Sequence, residues 1–218
     1  MDEHISFKTR VKNVAINLSQ KYYSYYVSKD YLLISDSFKS SPYYIISAEK
    51  DNYLHLIGVS TPLSANEFFN KCFDGSLMEE DFDLSIHYKR EKESKGTIRK
   101  KIKALPYIFE LMDSSSLVEE NFAKNTIFCS IATSDGACTL GFITVPTARP
   151  KTLLLGNELD SSKSSHFKII LSKSRKEEKF SSVIVGSDQD LSTHLGAIKH
   201  LLSGELISKI NNYSTNVK

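Results

Sequence analysis

A chain of 218 residues with 40% hydrophobic content can bury a sizeable core, and its length favours one domain. Its 28 Lys and Arg against 26 Asp and Glu leave a net charge of only +2, which by itself points to neither a nucleic-acid nor a membrane partner. No apolar run approaches the roughly 20 residues a spanning helix needs.

Residues 1–30 mix charges with apolar residues and hold no signal-peptide core. Cys72, Cys129 and Cys138 are odd in number and lack zinc-ligand spacing, so they read as reduced thiols of a cytoplasmic protein. Val11, Val14, Ala15, Leu18, Tyr22 and Tyr25 recur at helical spacing and predict an amphipathic helix over about residues 5–28. The runs YLLISD (31–36), YYIISA (43–48) and YLHLIGV (53–59) then read as three strands of an antiparallel meander. SANEFFNKCFDG (64–75) predicts a helix with Ser64 and Glu67 as a capping box and Gly75 as its stop. An acidic turn, EEDFD (79–83), precedes the basic segment 89–103, which carries eight Lys and Arg against two Glu. Ile98, Ile102, Leu105, Phe109 and Met112 predict a helix over 97–112, bent near Pro106.

The second half reads mostly as β. Two alternating runs flank SDG in residues 125–146, and HFKIILS (166–172) pairs with FSSVIVG (180–186) around a charged loop. Between them ARPKTLLLGN reads as a stiff, proline-bounded loop. Leu191, Leu195, Ile198, Leu202 and Leu206 predict one closing helix, with a fraying tail NNYSTNVK. The class is α+β: an N-terminal helix, antiparallel sheet built from hairpins, helices packed on one side, and a closing C-terminal helix. One domain over 1–190, with 191–218 docked on it, is the expected organisation.

Four groups of residues could carry chemistry. His55 lies in an apolar run, where an imidazole is most often a half-buried residue with one hydrogen bond; Gly58 beside it suggests a close backbone approach. The basic segment, with Arg90, Lys95, Arg99, Lys100, Lys101 and Lys103, has the cation density that phosphate contacts need, although a solvated helix face has it too. Arg149, Lys151 and Thr152 could hold cations and a hydroxyl around a pentavalent phosphate. His166 and Lys168 share one face of their strand and would join His55 if the strands lie close. Glu79, Glu80, Asp81 and Asp83 read as a solvated turn more than a cation site. No phosphate-loop, dinucleotide, zincin or nucleophile-elbow motif occurs.

Two stretches together resemble a known family. NYLHLIGVSTPLSANEFFNKCFDGSL has its HLxG, Phe-rich helix and Gly-x-Leu, and ITVPTARPKTLLLGN has its later P-[KR]-[ST]-LL segment. The chain is thereby similar, over roughly residues 20–186, to the fourth group of phage barnase–EndoU–colicin–RelE-like nuclease domains, found in prophages, mobile elements and toxin systems. The match falls on His55, Gly58, Phe68, Phe69, Pro150, Lys151, Thr152 and Leu153. It implies a ribonuclease that needs no metal or other cofactor. His55 would be the acid/base, Lys151 with Lys168 or Arg149 would stabilise the phosphorane, and Thr152 would donate a hydrogen bond. His166 is a further candidate. Its implied partners are RNA and an antitoxin or immunity protein, with no membrane. The alternatives are a non-catalytic module that binds nucleic acid or protein, and a nucleotide- or NAD-directed transferase, which ranks last because it lacks a convincing partnering Ser-Thr-Ser or Glu-x-Glu signature.

Overall fold

The structure, a computed structural model, describes residues 5–85 and 91–216. Ser6 caps the first helix, α1 (Phe7–Tyr22), by accepting a hydrogen bond from the Thr9 amide, and a π-helical turn (Tyr23–Val27) continues it. Strands β1 (Lys29–Ser35) and β2 (Tyr44–Ile46) follow, then helices α2 (Asn52–Ile57), α3 (Ala65–Phe73) and α4 (Glu91–Ala104). The predicted capping box of α3 is formed, with Ser64 and Glu67 bonding reciprocally. A 3-10 stretch (Leu105–Glu110) ends α4, because Pro106 has no N–H to continue an α-helix.

The rest of the sheet comprises β3 (Leu117–Glu120), β6 (Ile131–Ser134), β7 (Cys138–Thr144), β8 (Ala148–Leu155), β9 (Ser164–Ser174) and β10 (Ser182–Val185). A separate small hairpin joins β4 (Ala123–Lys124) to β5 (Ile127–Phe128). Strand order runs β1-β2-β8-β7-β6-β3-β9, and β9 pairs back onto β1, so seven strands close into a ring. All the pairings are antiparallel except β2 with β8, which meet in parallel at Ile46 and Ala148. Inward-facing Leu33, Val118, Ile131, Leu140, Phe142, Leu153 and Ile170 form one core with the apolar faces of α1 to α4. Leu32, Ile34, Ile169 and Leu171 point outward, where α5 (Asp188–Ile198) and α6 (Gly204–Asn216) cover them. Among the described residues no helix is long and apolar enough to cross a membrane. All three cysteines are buried and free.

The α+β class holds, but four local readings are corrected. Residues 53–59 form no third strand. Tyr53, Leu56 and Ile57 are buried at helical spacing, and Gly58 ends the helix in the left-handed region at φ 79°. Over seven residues the alternating and helical patterns overlap, and packing decides between them. The Tyr53 ring lies 4.9 Å from Tyr22 and 5.5 Å from Phe69, and its hydroxyl donates to the Ala15 carbonyl at 2.8 Å. The expected meander is therefore lost, and β2 pairs with β8 instead.

Residues 148–155, read as a loop, are strand β8; a bulge opposite Gly141 and Phe142 absorbs Pro150 and leaves Lys151 outside the register. The single closing helix is two. Between α5 and α6 the chain extends to pair with Phe180, whose amide donates to the Leu201 carbonyl and whose carbonyl accepts from the Ser203 amide. Residues 211–216, read as lying beyond the closing helix, are part of α6, which runs to Asn216.

Candidate functional site

Tyr53 turns into the aromatic core, so His55, two residues on, is left on the exposed side of the last turn of α2. It opens into a cavity of about 690 Å3 bounded by α2, α4, β8 and the β4–β5 hairpin. Gly58 shapes this corner twice. Its left-handed backbone lets the chain turn away from α2, and its missing Cβ leaves room for the Lys101 side chain, whose Cδ would lie 2.6 Å from that atom. Lying across Gly58, Lys101 donates from its ammonium to the carbonyl of His55. The helix that carries the imidazole is thus tied to the basic helix.

From β8 the cavity takes Thr152, which is buried, together with Leu153, Leu154 and Leu155. Gly141, opposite Thr152 in β7, makes this possible, because a Cβ there would sit 2.8 Å from the Thr152 methyl and 2.6 Å from Cys129 Sγ. Lys100 and Thr97 reach the cavity from α4, and Lys124 and Ile127 from the β4–β5 hairpin. Glu158 lies on the far wall in an ion pair with Lys124.

His55, Gly58, Thr152, Lys100 and Lys101 are thus brought together, although 97 residues separate the first from the third. Lys151 is exposed just outside the cavity, its ammonium donating to the Phe128 carbonyl at 3.2 Å. Arg149 is half-buried further along β8 and does not line the cavity. Lys95 and Arg99 turn to the opposite side of α4, where the Arg99 guanidinium lies 4.9 Å from the Phe7 ring. Lys103 is exposed beyond the cavity, and Arg90 lies outside the described residues. His166 and Lys168, on β9, do not join His55. His166 Nδ1 is 3.3 Å from the Ser116 carbonyl, and Lys168 pairs with Asp36 at 2.8 Å, a contact that raises its pKa.

Sequence reading missed Lys124, Ile127 and Glu158. Strands of two residues carry no period, and Glu158 follows a strand end with no motif around it. Of the acidic turn, Asp81 is engaged by Lys71 at 2.7 Å, which holds its carboxyl below the usual range. Among the described residues no three His, Cys, Asp or Glu side chains cluster as metal ligands.

Residues 16–186 match the family model described as phage-Barnase-EndoU-ColicinE5/D-RelE like nuclease4. The chain belongs to this family. The match spans both walls of the cavity, from α1 through the HLxG turn to β10, and its end falls just before α5. A nuclease-like function follows from membership of this nuclease-like family. Comparison with curated proteins and with solved structures gives no match.

Proposed function

We propose that this nuclease-like chain is a ribonuclease that cuts RNA by acid–base chemistry without a metal, with its reaction centre at His55. The observation that carries the reading is the meeting of the HLxG turn and the β8 segment in one cation-rimmed cavity. In the reaction a ribose 2′-oxygen attacks the adjacent phosphorus as the bond to the 5′-oxygen breaks. His55 takes the 2′ proton, and water supplies the one that the departing 5′-oxygen needs. Lys100 and Lys124 face the charge that builds on the phosphorane, and Thr152 donates to one of its oxygens. Lys101 has a positioning role, since its ammonium is committed to the His55 carbonyl. Lys151 stands one step outside and meets the next phosphate. Imidazole, hydroxyl and ammonium groups are a donor set suited to metal-free phosphoryl transfer.

The test is incubation of wild type and His55→Ala with labelled single-stranded RNA in EDTA. Cleavage by the wild type, reduced about 10²- to 10⁴-fold in a variant with unchanged thermal unfolding, is the expected result. Because His55 is exposed, its removal leaves the fold intact. Salt-dependent binding with no cleavage by either protein would replace the nuclease reading with a binding module built on α4.

A further inference from the structure

The cavity is larger and more apolar than a phosphate needs. A phosphodiester is satisfied by Lys100, Lys124 and Thr152, and an ionised group gains nothing from aliphatic walls. Yet Leu54, Val59, Ile127, Leu154 and Leu155 line the same space beside those polar groups, and its volume of about 690 Å3 is in the range that encloses a small organic ligand. Apolar walls under a cationic rim complement a flat, weakly polar ring attached to an anionic backbone. We propose that the cavity takes up one unpaired nucleobase of the RNA strand, with the flanking phosphates on Lys100 and Lys124; this rests on the nuclease reading and adds a requirement to it.

A base paired and stacked in a duplex cannot enter such a slot without being extruded. Cleavage is therefore confined to unpaired nucleotides. Among the described lining residues only His55 carries a ring, so these grip the base mainly by aliphatic contact, and Glu158, held by Lys124, faces its polar edge.

Binding and cutting are read separately. A trinucleotide with 2′-deoxyribose at its first two positions, so that neither phosphodiester can be cut, is titrated into the full chain with its central base present or replaced by an abasic sugar. The abasic form is expected to bind about tenfold or more weakly. Ile127→Trp, which fills the slot from a half-exposed hairpin, is expected to erase that difference. Equal affinity of the two trinucleotides, or no binding of the intact one, would overturn the proposal. In the cleavage arm, a ribonucleotide bond in a loop is expected to be cut at least about a hundredfold faster than the same bond in a duplex. Equal rates would overturn the slot and leave the nuclease standing. Base-dependent binding with no cleavage of any RNA would sustain the slot and sink the nuclease.

Discussion

Gly58 does two things that no other residue type can do at once. It occupies the left-handed region at φ 79°, and it leaves open the path of Lys101 to the His55 carbonyl. Gly58→Ala is expected to lower stability by about 1–3 kcal/mol through backbone strain alone. The added methyl also displaces Lys101 and frees the end of α2. Thermal unfolding measures the first effect. The second predicts that Gly58→Ala loses more nuclease activity than its loss of folded protein explains. His55 looked structural as a member of a strand, because alternation set it beside Tyr53 and Ile57. In a helix those two residues turn inward and the imidazole turns out. The same letters give opposite exposures under the two periods.

At the scale of elements, short segments are fixed by side chains from elsewhere. Arg175, in the β9–β10 loop, donates to the Ala48 carbonyl and to Ser47 and pairs with Glu49 and Asp30, which holds the approach to α2 against the sheet. Glu120, at the end of β3, joins that strand to the β1–β2 connection. It accepts from the Lys39 amide at 2.7 Å, the Ser40 amide at 3.0 Å and the Tyr44 hydroxyl at 2.6 Å. Burial alone would push its carboxyl up, but the Tyr44 hydroxyl and the two amides outweigh burial and hold it below the usual range. A carboxyl depressed in the folded state binds its proton first in the unfolded chain. Its stabilisation is present above the ordinary Glu range and is lost as pH falls through the folded value. Tm measured from about pH 6 down to about pH 3 is expected to fall, and Glu120→Gln is expected to start lower and fall less steeply.

For the whole molecule, the family match ends at Gly186, but the hydrophobic packing does not. Phe180 and the outward faces of β1 and β9 are covered largely by Leu191, Ile198, Leu202, Leu206 and Ile210 from the C-terminal segment, with Tyr43 and Ile45 at the margin. A chain cut after Gly186 would keep every cavity residue and expose this second core. It is expected to aggregate or bind a hydrophobic dye, as read by light scattering and dye fluorescence, while the full chain does neither.

The sequence alone determined whatever is decided by neighbours within a few residues. The α+β class, the Ser64–Glu67 capping box, the Asp135-Gly136 turn and most strand positions were legible because caps, turns and alternation are local physics. The family motifs were legible too, and with them His55, Gly58 and Thr152. Tertiary structure decided the rest. It made 52–57 a helix with Gly58 as its stop, because Tyr53 is packed between α1 and α3. It sorted the basic helix into Lys100 and Lys101 on the cavity side and Lys95 and Arg99 on the other, a division that charge counting along the chain cannot make. It also kept His166 and Lys168 away from His55 and brought in Lys124 and Glu158. Which residues share a cavity depends on how a closed ring of strands is ordered, and that order is set by long-range pairing and burial, which leave no periodic trace in the sequence.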